Sequence, residues 1–280
     1  MSEGRPALAA MHTLYLVATP IGNLEDITLR ALRVLREASL IAAEDTRVTA
    51  RLLAHYDIAT PLISYHEHNK LARLDRIFAA LETGDVALVS DAGTPGLNDP
   101  GYELVREAIA RGAPVTPVPG PSAPVAALVV SGLPTDSFVY LGYAPRQAGR
   151  RRAFWARAAG EPRTLVALEA PHRLRASLAD ALRALGDREI AVARELTKLH
   201  EEIFRGTISA ALAHFAEPVG EFVLVVAGAP STAEPWSEAD VRLALTAAID
   251  AGATPAQAAR DVAAASGWSR RRVYRLILDE

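Results

Sequence analysis

The sequence predicts an α/β protein made of two successive α/β halves, each a sheet covered by helices, with a small all-helical bundle behind them. Three observations predict it. From Leu14 to Val226, short apolar runs rich in β-branched residues alternate with longer segments of helical period. Midway, Gly132-Leu133-Pro134-Thr135-Asp136 breaks the alternation as a boundary between domains does. After Pro230 the strand pattern stops and only helical pattern remains. Alternation of this kind predicts a largely parallel sheet with helices on its faces. The domains are therefore placed at 12–133, 136–230 and 236–280.

In the first half, buried strands are read at Leu14–Ala18, Leu40–Ala43, Pro61–Tyr65, Val86–Ser90 and Pro114–Val118. Helices are read at Ile27–Glu37, Thr49–Tyr56, Leu71–Leu81, Tyr102–Ala110 and Ala123–Val130. In the first of them Leu29, Leu32 and Leu35 keep one apolar face, and Arg30, Arg33 and Arg36 lie elsewhere around it. The second half gives strands at Phe138–Gly142, Thr164–Leu168, Ile190–Ala193, Glu202–Arg205 and Phe222–Val226, with helices near Arg151–Ala158, Leu174–Leu185 and Ser209–Phe215. Ser231–Pro235 reads as a linker. Beyond it, Ser237 with Asp240 makes a capping box ahead of Val241–Ala251. Thr254-Pro255 opens Ala256–Ser266 with a cap and a first-turn proline, and Ser269 caps a last helix to Leu278.

Composition narrows the function. Of 280 residues, 50% are hydrophobic, enough for a full core. The formal net charge of -3 argues against indiscriminate coating of nucleic acid, so any such contact must come from local basic patches. Cysteine is absent, which excludes disulfides, thiolate metal sites and a cysteine nucleophile. Met1–Ala10 lacks the pattern of a signal peptide, and Met11 fits a true start because the fold pattern begins directly after it. The apolar runs fall far short of the roughly 20 residues that span a bilayer. The chain reads as a soluble, cytoplasmic protein with no membrane partner.

Three loops stand at the ends of expected strands, where open parallel sheets place their ligands. They are Thr19-Pro20-Ile21-Gly22-Asn23, the run from Ser90 to Gly101, and Pro119-Gly120-Pro121-Ser122-Ala123. Small residues let backbone approach a ligand, and prolines pre-set the turns. One such loop alone is an ordinary turn; three at equivalent strand ends point to a cleft. None is a dinucleotide fingerprint or a phosphate loop, so those cofactors lose support.

Leu14-Tyr15-Leu16-Val17-Ala18-Thr19-Pro20-Ile21-Gly22-Asn23-Leu24-Glu25-Asp26 resembles the opening of the bacterial ribosomal RNA small-subunit methyltransferase I family, of the tetrapyrrole-methylase fold. Further matching segments follow in order: Ala42 to Arg47, Ser90 to Gly101, Pro119 to Ala123, Gly132-Leu133-Pro134, and Ala193 to Lys198 with Glu201-Glu202. The resemblance covers Leu14 to about Gly228. It implies two α/β domains clasping S-adenosylmethionine, usually in a homodimer. The product it implies is a 2′-O-methylated cytidine in the decoding region of 16S rRNA, within the 30S subunit. The chain departs from the family's usual pattern at Tyr140–Pro145, at Leu168–His172 and at Gly96-Leu97-Asn98, swaps that could tune a pocket.

On that reading Pro20, Asp91, Ala92, Gly93, Thr94, Ser122 and Ala123 hold the cofactor, with Thr164, Val166 and Val225 supplying a second wall. A sulfonium methyl is already electrophilic, so alignment in a dry pocket is the main requirement. Removing the proton of a ribose hydroxyl needs a base or a charge-stabilising partner. Glu44, Asp45 and Lys198 are the catalytic candidates, with Glu169, His172 and Glu195 behind them. Ordinary salt bridges compete with this reading of each. The trio His66-Glu67-His68 has no recognisable partner cluster and reads as a polar loop, so no metal site is expected.

Two basic stretches fit RNA. Arg146, Arg150, Arg151, Arg152 and Arg157 surround Phe154 and Trp155, which are assigned to packing. Arg270, Arg271, Arg272 and Arg275 crowd the last helix, where Ala263, Gly267 and Val273 fall at helix-turn-helix spacing. Packing of that helix on a partner subunit is its competitor. Two other functions compete as well: a methyltransferase of the same fold acting on a small tetrapyrrole-like substrate, and a DNA-binding regulator using the tail.

Overall fold

The structure is a computed structural model that describes residues 11–67, 69–230 and 236–278. The start at Met1–Ala10, the expected linker Ser231–Pro235 and His68 lie outside the described residues. The chain divides into two compact units between Ala229 and Pro230.

The first unit opens with β1 (Leu14–Val17), α1 (Leu29–Glu37), β2 (Leu40–Ala43), α2 (Thr46–His55), β3 (Leu62–Ser64), α3 (Lys70–Leu81), β4 (Val86–Val89), α4 (Tyr102–Ala110), β5 (Val115–Val118) and α5 (Ala123–Val130). Its strands form a parallel sheet in the order β3-β2-β4-β1-β5. Every residue of β2 and β4 is buried, because helices cover both faces; hence these strands are apolar runs without alternation. Ile41 and Ala43 of β2 pack with Ala31, Leu35 and Leu53 on one face. Leu40 and Ala42 pack with Ile77, Phe78 and Leu104 on the other.

The same unit continues with β6 (Phe138–Tyr143), α6 (Ala148–Arg157), β7 (Thr164–Glu169), α7 (Pro171–Leu185), β8 (Glu189–Arg194), β9 (Glu202–Thr207), α8 (Ile208–His214) and β10 (Phe222–Val226). The order is β6-β7-β10-β8-β9. Here the expected largely parallel arrangement fails: only β6 and β7 pair in parallel, and the other three pairings are antiparallel. The reason is local. The connection 195–201 between β8 and β9 carries no helix and is too short for a parallel crossover. β10 then fills the gap between β7 and β8, running against both.

Helix α5, which follows the last strand of the first sheet, packs on the second. Its sequence is apolar nearly all round, and Ala127 and Leu128 pack onto Val166, Ala191, Ala193, Val223 and Val225 of the second sheet. The opposite face of that sheet is covered by α6, α7 and α8 around Trp155, Leu174, Leu178 and Ile208.

The second unit, taken by itself, holds α9 (Glu238–Asp250), α10 (Pro255–Ser266) and α11 (Arg270–Leu278). The Ser237–Asp240 capping box is present, and Thr254 accepts the Gln257 N–H at 3.3 Å. Gly267, at φ 73°, ends α10 in the left-handed conformation that glycine adopts without cost. Val241, Leu245, Ala258, Ala259, Val262, Val273 and Leu276 form the core of this unit.

Candidate active site

The carboxyl ends of β2, β4, β1 and β5 lie side by side, which brings the three glycine- and proline-bearing loops together. Thr19 and Gly93 exchange backbone hydrogen bonds of 2.9 and 3.0 Å. The Thr94 hydroxyl donates to the Pro121 carbonyl at 3.3 Å, and the buried Thr19 hydroxyl to the Ser90 carbonyl at 3.2 Å. The loops are thus stitched into one floor. Gly93 stands at φ +79° within it, a conformation that disfavours a side chain.

Two adjoining cavities open on this floor. The first, of about 250 Å³, has Glu44, Asp91 to Thr94, Asn98, Asp99, Ser122 and Ala123 on one side. Tyr140, Tyr143, Leu168, Ala193, Phe222 and Val223 of the second sheet face them. The second cavity, of about 380 Å³, is lined by Pro20, Leu24, Val48, Arg51, Leu52 and Lys198, among others. Ile21, Asp91, Ala92 and Glu221 border both.

The first cavity is acidic and its acids are coupled. The Asp91 N–H reaches Glu44 Oε2 at 3.4 Å, and the Asp45 N–H donates to Asp91 Oδ1 at 2.9 Å. Burial raises the Glu44 carboxyl, and the neighbouring charge of Asp91 raises it further. Asp99 is pushed up to about 6, first by burial and then by Glu44, against the pull of a hydrogen bond from Ser90. Burial also lifts Tyr140 to about 12, helped by Tyr143 and Asp99; its hydroxyl accepts a hydrogen bond from the Asn98 amide.

The structure separates the catalytic candidates. Glu44 faces the first cavity. The Asp45 carboxylate instead caps α2, accepting the Arg47 N–H at 2.8 Å and pairing with its guanidinium at 2.6 Å. Those hydrogen bonds hold Asp45 down to about 2, far from the value a proton acceptor at neutral pH needs. Lys198 reaches the second cavity, with its ammonium 2.9 Å from Glu195 Oε1 and 3.0 Å from Glu221 Oε2. Burial opposes its charge, but the hydrogen bonds to both carboxylates keep its pKa above that of a free lysine.

Of the cofactor candidates, Asp91, Ala92, Gly93, Thr94, Ser122 and Ala123 line the first cavity, whereas Pro20 lines the second. Thr164, Val166 and Val225 do not line either. Val166 and Val225 are fully buried where α5 lies on the sheet, and the Thr164 hydroxyl donates to the Pro134 carbonyl at 2.7 Å. The second wall comes from positions further along the strands, with Leu168 and Val223 in place of Val166 and Val225. Sequence reasoning misses Asp99, Asn98, Tyr140 and Tyr143 as site residues. Asp99 sits inside the matching Ser90–Gly101 loop, and Asn98, Tyr140 and Tyr143 fall within the departures at Gly96-Leu97-Asn98 and Tyr140–Pro145, so each position carries a signal.

Among the arginines, Arg146, Arg150, Arg152 and Arg157 are exposed. Arg151 is not. It turns into the fold, its Nε 2.8 Å from the buried Asp180 of α7, and is unfit for contact with RNA. Phe154 and Trp155 belong to the core beside it. Arg270, Arg271, Arg272 and Arg275 are exposed on α11, with the Arg272 guanidinium 3.4 Å above the Trp268 ring. Among the described residues no group of three or more His, Cys, Asp or Glu is placed to hold a metal ion, and no helix is long and apolar enough to cross a membrane.

With this geometry in hand, comparison with known proteins is specific. The family described as Tetrapyrrole (Corrin/Porphyrin) Methylases matches residues 13–212. A protein of Synechocystis sp. named Ribosomal RNA small subunit methyltransferase I is 48% identical over 274 residues, covering 96% of this chain and 98% of that one. The chain belongs to the ribosomal RNA small subunit methyltransferase I family. The member from Halalkalibacterium halodurans is 47% identical over 276 residues, covering 96% of this chain and 95% of its own. The member from Mesorhizobium japonicum is 46% identical over 279 residues. Among solved structures, uroporphyrin-III-C-methyltransferase from Thermus thermophilus superposes with a TM-score of 0.56 at 25% identity, covering 77% of this chain and 94% of that one. Family membership makes the protein a methyltransferase.

Proposed function

We propose that this protein is an S-adenosylmethionine-dependent methyltransferase that methylates a cytidine ribose 2′-hydroxyl in 16S rRNA of the 30S subunit, in the decoding region. It acts in the cytoplasm, as a homodimer. The observation that carries the reading is the acid-lined first cavity, built on three mutually bonded strand-end loops, in a chain whose relatives are named for methylating small-subunit ribosomal RNA. The decisive experiment incubates the protein with unmodified 30S subunits and labelled cofactor and maps the methyl group. Label on a 2′-oxygen of 16S rRNA is the expected result; transfer to a base, or none, overturns the reading.

The residues fit the cofactor. S-adenosylmethionine supplies a methyl group already activated on a cationic sulfur. Asp91, Asp99 and Glu44 offer negative charge to that cation, and Leu168, Phe222 and Val223 offer an apolar wall to the adenosine. Backbone of Asp91–Thr94 and Ser122-Ala123 would hold the polar groups and fix their orientation. Glu44, raised by burial, is the group best placed to take the ribose proton; Asp45 orders α2 and Asp91 around it.

These charges set two expectations. In single-turnover transfer, Glu44→Gln is expected to lower the rate by about 100-fold with cofactor affinity nearly unchanged. Asp45→Asn is expected to lower it only severalfold, because it keeps an N-cap. Equal rates in both variants and the parent would leave the proton to water, because Lys198, paired with Glu195 and Glu221, is already protonated. The second expectation concerns pH. Asp99 is charged above about pH 6 and neutral below it, so affinity for the cationic cofactor is favoured on the alkaline side. Lowering the pH from about 7.5 to about 5 is expected to weaken S-adenosylmethionine severalfold more than its uncharged-sulfur product, measured by calorimetry. Asp99→Asn should flatten that difference. The sign for stability is opposite: a raised carboxyl pKa means ionisation disfavours the fold above about pH 6, so the same variant should not destabilise there.

The exposed arginines Arg146, Arg150 and Arg152 and the tail arginines Arg270, Arg271, Arg272 and Arg275 serve RNA. Each phosphate contact releases counterions and adds roughly one unit to the log–log salt slope. Arg270→Gln, Arg271→Gln and Arg272→Gln combined should flatten that slope without altering cofactor binding. An unchanged slope, or a shift towards monomer in sedimentation, would assign the tail to subunit packing instead.

A further inference from the structure

The second cavity shares a wall with the first: Ile21, Asp91, Ala92 and Glu221 border both. We propose that this second cavity is the acceptor subsite, taking one nucleotide turned out of single-stranded RNA; the inference rests on the functional reading just given. Methyl transfer requires the accepting oxygen within about 3–3.5 Å of the methyl carbon, in line with the bond that breaks. Four shared lining residues make the two cavities neighbours, so a ribose seated at their common border stands beside the donor's cavity.

Its size and lining fit the same occupant. At about 380 Å³ it is of small-ligand size. Its floor is apolar, and two of the side chains there, Leu24 and Val48, each keep 40% of their surface exposed. A base lying flat against them would cover both. Cations stand at the rim. Arg51 is exposed and has no ion pair among the described residues, so it is available for a phosphate oxygen. Lys198 is fixed by Glu195 and Glu221.

The wall is built to hold its place. Glu195 and Thr197 in the 195–201 connection adopt φ values of +49° and +66°, strained for residues other than glycine. The strain is held by the Thr197 N–H donating to Glu201 Oε2 at 2.6 Å and by Glu195 Oε1 accepting the Glu221 N–H at 2.8 Å. A paired base in a duplex cannot reach such a recess without leaving its stack, which selects for a loop or an extruded nucleotide.

The test uses the full chain with assembled 30S subunits, labelled S-adenosylmethionine and, in parallel, calorimetry with the cofactor alone. Val48→Trp places a large ring in the recess from an exposed helix position. It is expected to lower kcat/KM for the 30S subunit by about 100-fold while the cofactor Kd stays within about twofold. Arg51→Gln, a surface change that spares the fold, is expected to raise KM about tenfold with little loss of kcat. Parental kcat/KM in both variants overturns the subsite, and Arg51→Gln decides alone if the tryptophan variant misfolds. Absence of transfer by the parent protein despite cofactor binding is a different failure, which removes the functional reading and the subsite with it.

Discussion

Asp180→Ala is expected to destabilise the protein by about 3–5 kcal/mol, because it leaves a buried cation without its partner. Asp180 is 2% exposed on α7, and its carboxylate accepts from Arg151 Nε at 2.8 Å and from Arg183 at 2.6 Å. Removing it strands the Arg151 guanidinium, itself 9% exposed, between α6 and α7 with its charge uncompensated. Arg183→Gln is the control. That side chain is 69% exposed, and solvent screening leaves its pair worth less than about 1 kcal/mol. Urea midpoints compare the two. Similar small shifts in both would show that water enters beside Arg151 and that the pair is not a buried one.

Gly93→Val is expected to weaken cofactor binding by at least about 100-fold. A Cβ at this position would meet Ile21 Cγ2 at 3.5 Å and the Pro121 carbonyl at 3.7 Å, both ordinary contacts, so room is not the first obstacle. The obstacle is φ +79°, which a β-branched residue does not adopt without rearranging. Rearrangement breaks the paired hydrogen bonds to Thr19 and loosens the floor under the first cavity. Gly93→Ala should show a smaller loss, set by about 1–2 kcal/mol of left-handed strain. Calorimetric affinity at the parental value in the valine variant would mean that the Thr19–Gly93 bridge does not shape the site.

What the sequence made readable divides along physical lines. Elements were readable because apolar periodicity is local: Tyr102–Ala110, Ala123–Val130 and Leu40–Ala43 are read from a few neighbouring residues each. Which strands pair is not local. β10 entering between β7 and β8 depends on contacts between residues some 30 to 60 positions apart, such as Val225 with Ala191 and with Val166. The same boundary runs through the site. Loops at strand ends announce themselves by glycine and proline, so one side of the first cavity was visible. The facing side depends on position along β7 and β10: Leu168 and Val223 line the space, while Val166 and Val225, two residues away on the same faces, do not. Arg151 shows the limit most plainly. Within a run of arginines its partner, Asp180, lies 29 residues away, and nothing in the run itself marks which guanidinium turns inward.

Gly22 touches the 195–201 connection so closely that a Cβ there would run into Lys198 Cγ and lie 2.9 Å from the Leu196 carbonyl. The opening loop of the first sheet meets a strained segment of the second at this point. The contact acts as a stop: it sets the gauge of the cleft where both cavities meet, much as a spacer fixes the gap between two plates. A single methyl group added at Gly22 would widen that gap rather than fill a void. If donor and acceptor occupy the two cavities as proposed, transfer tolerates little misplacement, and a glycine with no side chain to spare sets the distance between them.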